Sequence, residues 1–160
     1  MLSFFKKNKN YKICAAVSGN SINIEKVNDV TFSQKLMGDG IAIIPNGNVA
    51  VAPCNGKITV LPKSNHAFGI VSEDGVEILV HIGIDTVNLN GDGFKNEVSQ
   101  GSTVKQGDPI ISFDREKIIS QGIDSTTMMI VLNHSEFSNI NCIAEGEVVA
   151  GQDTVIEVLK

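Results

Sequence analysis

From Tyr11 onward the chain alternates short apolar runs, rich in Ile and Val, with clusters of Gly, Asn and Asp. Runs of this length and composition predict strands, because β-branched side chains fit a pleated surface while Gly, Asn and Asp accept the backbone angles of tight turns. The predicted strands are residues 11–17, 21–26, 40–45, 48–52, 56–61, 67–71, 76–82, 109–113, 127–133, 142–149 and 154–160. One helix stands out over 115–121, with Asp114 as N-cap and Gly122 at its exit, and a turn is expected after Asn28. The pattern predicts an all-β fold, an antiparallel β-sandwich or barrel whose short helices only connect strands. A chain of 160 residues is near the modal domain size, so residues 11–160 are expected to form one domain behind a flexible segment, 1–10.

Composition narrows the function. The hydrophobic share of 42% suffices for a core, and a net charge of −5 with interspersed signs argues against nucleic acid and leaves proteins or small molecules as partners. Cys14, Cys54 and Cys142 are odd in number and lack CxxC spacing, which predicts reduced thiols serving as small core residues. No apolar run approaches the roughly 18 residues of a membrane span, and no signal-peptide pattern is present, so a soluble cytoplasmic protein is expected. Residues 1–10 carry Leu2, Phe5, Lys6, Lys7 and Lys9, the makings either of a frayed terminus or of a short basic amphipathic segment with weak peripheral membrane contact.

The candidate chemistry lies in two histidines. His66 and His81 flank Ser72-Glu73-Asp74-Gly75, each in or beside a strand-like run. A hairpin folded about Glu73-Asp74 sets residue 66 opposite residue 81, because cross-strand partners share a constant sum of positions. A bulge at Gly75 would slip that register by one, keeping the proximity and changing the shared face. Two imidazoles in contact can accept and stabilise a transferred group at neutral pH, since each offers one nucleophilic and one donating nitrogen. His134, in the polar stretch Asn133-His-Ser-Glu-Phe137, has no such partner and is expected in a surface loop. A zinc hydrolase is the alternative class, with Asp85 or His134 as third ligand, but no HxH or HExxH spacing is present.

Residues 101–111 read as a strand, a tight Gly-Asp turn and a second strand, and 52–60 and 144–149 echo a shorter version. Such turns resemble those of biotinyl- and lipoyl-carrier sandwiches, whose modified lysine sits in a Met-Lys-Met tip. Lys105 lies instead in Val-Lys-Gln and reads as a solvated turn residue. A closer resemblance covers nearly the whole chain. Met37-Gly-Asp-Gly-Ile-Ala-Ile-Ile-Pro45, Val51-Ala-Pro-Cys-Asn-Gly-Lys57, Asn65-His-Ala-Phe68, Gly75-Val-Glu-Ile-Leu-Val-His-Ile-Gly-Ile-Asp-Thr-Val87 and Gly91-Asp-Gly-Phe-Lys95 follow one another in that order. In order and spacing they resemble the glucose-family enzyme IIA of the bacterial phosphoenolpyruvate-dependent sugar phosphotransferase system, in its free-standing single-domain form.

That resemblance implies a β-sandwich of duplicated hybrid-motif type and a phosphotransferase with a phosphohistidine intermediate. It implies a carrier that takes a phosphoryl group from the protein HPr and passes it to a cysteine of the IIB domain of a sugar permease. The phosphorylated residue would be His81, and His66 its stabilising companion. The family's usual threonine two residues before that companion is here Ser64, which keeps the hydroxyl. The carbonyl that orients His81 would be that of Gly83. No cofactor is required, and zinc would bind His66 and His81 only where a partner supplies a carboxylate. The resemblance also admits regulatory targets, permeases or kinases outside the system that the unphosphorylated form inhibits. Candidates for an apolar docking rim are Phe68, Leu79, Val80, Ile82 and Phe94, half of which strand alternation must turn toward the core. Asp39 and Asp85 flank the histidine segments, either as carboxylates that meet basic partner residues or as turn formers.

Overall fold

The computed structural model describes residues 9–143 and 146–160. The expectations for the first eight residues lie outside them. An eight-stranded sheet runs in the order β13 (Gly146–Val148), β2 (Gly19–Asn23), β3 (Asp39–Pro45), β11 (Thr127–Val131), β7 (Glu77–Ile82), β6 (Ala67–Ser72), β5 (Gly56–Val60) and β9 (Thr103–Val104). Two three-stranded sheets complete the described strands: β1 (Asn10–Cys14), β14 (Thr154–Leu159) and β12 (Asn139–Cys142), and β4 (Val49–Val51), β10 (Pro109–Phe113) and β8 (Phe94–Asn96). All these neighbours pair antiparallel, as the hydrophobic pattern predicts.

The middle of the large sheet is buried on both sides. β11 reads Thr-Met-Met-Ile-Val and every position is buried. Met129 and Val131 enter the main core with Ile41, Ile43, Phe68, Ile78, Val80 and Ile82. Met128 and Ile130 point the other way, into a second cluster with Ile24, Val27, Phe32 and Ala42. A strand covered on both faces needs a continuous apolar run rather than an alternating one. The covering layer is a 3₁₀ turn at Ile24–Lys26 and a short helix α1 (Val30–Ser33), capped by Asp29, whose carboxylate accepts the Thr31 N–H at 2.9 Å. The second helix, α2 (Arg115–Ser120), begins as expected at Asp114, which accepts the Lys117 N–H at 3.1 Å, and exits through Gly122 at φ 76°.

The strands differ from the sequence pattern at several points, and three of these have a local cause. Residues 142–149 are not one strand: β12 ends at Cys142 and pairs with β14, whereas β13 starts at Gly146 and pairs with β2. Gly146, the first residue of β13, enters that strand at φ 92°, a left-handed angle suited to a glycine. Residues 24–26 leave the predicted strand 21–26 because the Asn23 side chain accepts the Glu25 N–H and tightens the chain into a turn. β8 escapes the pattern because it is three residues long and only Phe94 is buried. Cys14 and Cys54 are buried, Cys142 is half-buried, and all are free thiols; burial pushes Cys54 and Cys142 up to about 12, which keeps them as thiols at neutral pH. Lys105 and His134 are exposed, both in turns. Among the described residues no helix is long and apolar enough to cross a membrane.

Candidate functional site

The β6–β7 hairpin closes through a three-residue loop, Glu73-Asp74-Gly75. Ser72 N–H donates to the Val76 carbonyl at 2.9 Å, Gly75 N–H to the Ser72 carbonyl at 3.0 Å, and Gly75 takes φ 86°. The glycine bulge slips the register by one, so Ala67 and not His66 stands opposite His81. His66 lies one residue before β6, tied to the partner strand by the Ile82 N–H on its carbonyl at 2.8 Å. Regular alternation would send its side chain to the far face. Asn65 is left-handed at φ 53°, so the extended strand stops at His66 and its ring is free to turn toward His81. The ring centroids are 5.0 Å apart at 78°.

His81 shares its row of the sheet with Ala67, Met128 and Ala42. Phe32, from α1, lies against it with centroids 5.2 Å apart, so the covering layer forms one wall of the site. His81 Nδ1 is 2.8 Å from the Gly83 carbonyl oxygen. A carbonyl only accepts, so Nδ1 carries the proton and Nε2 keeps its lone pair. Ser64 Oγ lies 2.5 Å from His66 Nδ1. When that hydroxyl donates, the His66 proton is on Nε2, giving a donor beside a nucleophile.

Burial holds both imidazoles below their ordinary range. For His66 the neighbouring His81 adds to the effect; for His81 the Gly83 carbonyl and the carboxylates of Asp29 and Asp85 offset part of it. Both rings are thus neutral at pH 7, and their titration sets a sign for stability. Between the lowered native values and the unfolded value of about 6.5, the unfolded chain binds more protons than the native one. Stability is therefore expected to be flat above about pH 6.5 and to fall as the pH drops below it. Urea midpoints measured between pH 7.5 and 5 check this, and a His66→Gln, His81→Gln double variant is expected to show a shallower fall.

The carboxylates separate. Asp85, exposed at φ 59°, lies within the field of His81, while Asp39 accepts its neighbour Gly40 N–H at 2.8 Å and pairs with Lys35 at 3.5 Å. The expected apolar rim needs correction. Phe68, Val80 and Ile82 are fully buried in the main core, and Phe94, 9% exposed, packs into that core as well. Leu79 alone of the five is half-exposed, two positions from His81 on the same face of β7. It lines a shallow groove of about 300 Å³ with Val60, Gly69, Val71 and Leu132. Sequence reasoning missed Asp29, Phe32 and Thr86; the last is wholly buried and donates its hydroxyl to the Ile82 carbonyl at 2.5 Å.

Comparison with known proteins agrees with this geometry. The family model for the phosphoenolpyruvate-dependent sugar phosphotransferase system, EIIA 1, matches residues 11–137. The chain is 44% identical over 159 residues to the glucose-specific EIIA component of the phosphotransferase system of Haemophilus influenzae, covering 97% of this chain and 94% of that one. It is 37% identical over 146 residues to the N-acetylglucosamine-specific EIICBA component of Klebsiella pneumoniae, 91% of this chain and 22% of that longer one. The solved glucose permease IIA from Mycoplasma capricolum superposes with a TM-score of 0.84 at 35% identity, covering 94% of this chain and 96% of that one. The chain belongs to the EIIA 1 family of the phosphoenolpyruvate-dependent sugar phosphotransferase system, and its role is that of a phosphocarrier.

Proposed function

We propose that His81 Nε2 is the atom that carries the phosphoryl group. The observation that carries this reading is the 2.8 Å bond from His81 Nδ1 to the Gly83 carbonyl, which leaves Nε2 unprotonated beside the ring of His66. The donor is the phosphohistidine of HPr. The Nε2 lone pair forms the new N–P bond as the donor's N–P bond breaks and its electron pair returns to the donor ring. In the onward step a cysteine thiolate of the permease IIB domain attacks phosphorus, and the electron pair of the Nε2–P bond returns to His81. Charge in such a loose transition state lies on the equatorial oxygens, so catalysis is positioning plus aimed donors. His66 Nε2–H supplies such a donor, with Ser64 holding its other nitrogen.

The reading places the protein in the cytoplasm, where phosphoenolpyruvate is the primary donor, and the carrier meets proteins and not sugar. The relatives' names cover both glucose and N-acetylglucosamine, so the sugar follows from the permease served. Among the described residues no group of three or more His, Cys, Asp or Glu is placed to hold a metal. His66 and His81 provide two zinc ligands at most, and a third would come from a partner's carboxylate; no step above uses one. The groove beside Leu79 is the docking surface in this reading, being apolar and on the His81 face. Leu79→Asp is expected to raise KM for phospho-HPr about tenfold, the cost of losing one interface anchor, and to lower Tm somewhat because Leu79 also packs on the second cluster, so KM is measured well below that Tm. Transfer from phosphoenolpyruvate through enzyme I and HPr, with the product mapped by mass spectrometry, tests the reading as a whole. An acid-labile, base-stable phosphate on His81 is expected; a folded protein that takes no label overturns it.

A further inference from the structure

The carbonyl that fixes the His81 proton belongs to a glycine, the residue least able to hold a peptide plane by itself. Gly83 sits at φ 79° in the turn that leaves β7. What holds it is a set of bonds to the three successive peptides that run from His81 to Ile84. Ile82 N–H donates to the His66 carbonyl at 2.8 Å, Gly83 N–H to the Thr126 carbonyl at 3.0 Å, and Ile84 N–H to the Asp124 carbonyl at 2.9 Å. The Ile84 N–H and the Gly83 carbonyl belong to one peptide, so Asp124 grips the plane from one side while His81 lies on the other. The remaining polar group, the Ile82 carbonyl, accepts the Thr86 hydroxyl. Thr86 is polar yet wholly buried, and its methyl faces the spot where a side chain on Gly83 would stand.

We propose that Thr86 is a positioning residue for phosphoryl transfer: its hydroxyl locks the Ile82–Gly83 peptide, and so keeps the Gly83 carbonyl aimed at His81 Nδ1 and the His81 lone pair on Nε2. The inference rests on the reading of His81 as phosphoryl acceptor. Without the hydroxyl the buried Ile82 carbonyl has no partner, and the peptide turns about the permissive Gly83 to find one. The Gly83 carbonyl turns with it, and the His81 proton is no longer confined to Nδ1.

The first arm of the test needs no phosphoryl donor. Two-bond 1H–15N correlation on the histidine rings reads the tautomer of His81 directly. The unchanged protein is expected to show the Nδ1–H form, and Thr86→Val, which keeps the shape and removes the donor, a mixture of both. In the second arm, kcat for acceptance from phospho-HPr is expected to fall about tenfold in Thr86→Val at unchanged KM, the low end of what outer partners of an imidazole carry. Thr86→Ser is expected to restore both readouts. A Thr86→Val protein with an unshifted tautomer and rate overturns the proposal, as does a Thr86→Ser protein as slow as the valine variant, which would mean that the hydroxyl by itself does not hold the carbonyl in place. Should the valine variant not fold, Thr86→Ser against Thr86→Ala asks the same question, since both lack the methyl and differ in the hydroxyl. Label found away from His81 would overturn the acceptor reading, while the tautomer arm still decides Thr86 alone.

Discussion

His81→Gln is expected to abolish phosphoryl acceptance, whereas His66→Gln is expected to give a protein that is still labelled by phospho-HPr but passes the group on poorly. The asymmetry follows from the two ring environments. His81 Nδ1 is bound to a carbonyl, which commits Nε2 to the lone pair, and glutamine offers no nucleophilic nitrogen in its place. His66 Nδ1 meets a hydroxyl, which can donate to it and so commit Nε2 to a proton. That ring serves as a hydrogen-bond donor, and a glutamine amide also donates, so capture survives. Onward transfer is more demanding, because the charge developing on the departing group must be met by a donor held in place. Loss of one aimed donor typically costs about 10²–10³-fold in rate. Radiolabelled phosphoenolpyruvate with enzyme I and HPr measures acceptance, and a chase with a IIB domain measures release. A His81→Gln protein that still takes label at the normal rate would sink the assignment.

How much of this could be read from the chain depends on the range of the interactions involved. The pairing of His66 with His81 is local: a turn sequence and a sum of positions bring them together, and only the one-residue slip at Gly75 needed coordinates to decide. That slip had a physical consequence. It left His66 on the wrong parity for a shared face, and the left-handed Asn65 at the strand end is what allows the two rings to meet. The apolar rim failed for a reason also present in the sequence. Side chains in β7 alternate, so the face of His81 takes Leu79 and the opposite face takes Val80 and Ile82. Hydrophobicity without parity cannot tell a docking surface from a core. Phe32 and Asp29 were out of reach because they approach His81 from a covering layer whose position is set by packing across the sheet, not by any spacing along the chain. Thr86 was visible in Ile-Asp-Thr but looked like turn chemistry. Its burial and its bond to Ile82 are what separate it from an ordinary turn threonine.

Gly83→Ala is expected to damage the fold and the site together, and the two losses can be separated. An alanine there must hold φ near 79°, a region where an L side chain costs about 1–2 kcal/mol. Its Cβ would also stand 2.4 Å from the Thr86 methyl and 3.1 Å from the Asp124 carbonyl oxygen. Neither neighbour can withdraw without breaking a bond that defines the turn, since Thr86 holds Ile82 and Asp124 holds Ile84. Overpacking of this kind adds about 1–3 kcal/mol. A total near 3 kcal/mol corresponds to a fall of about 9 °C in Tm for a domain of this size. Below that Tm the folded variant is expected to accept phosphoryl groups slowly, because the carbonyl that fixes the His81 proton has moved. The double variant Gly83→Ala, Thr86→Ser removes the methyl from the contact and leaves the backbone strain in place. It is expected to recover part of the lost Tm, the share due to crowding, without regaining all of it. Full recovery in the double variant would mean that φ at residue 83 costs nothing, and no recovery would mean that the Thr86 methyl was never the obstacle; calorimetry on the three proteins distinguishes these results from the intermediate value expected.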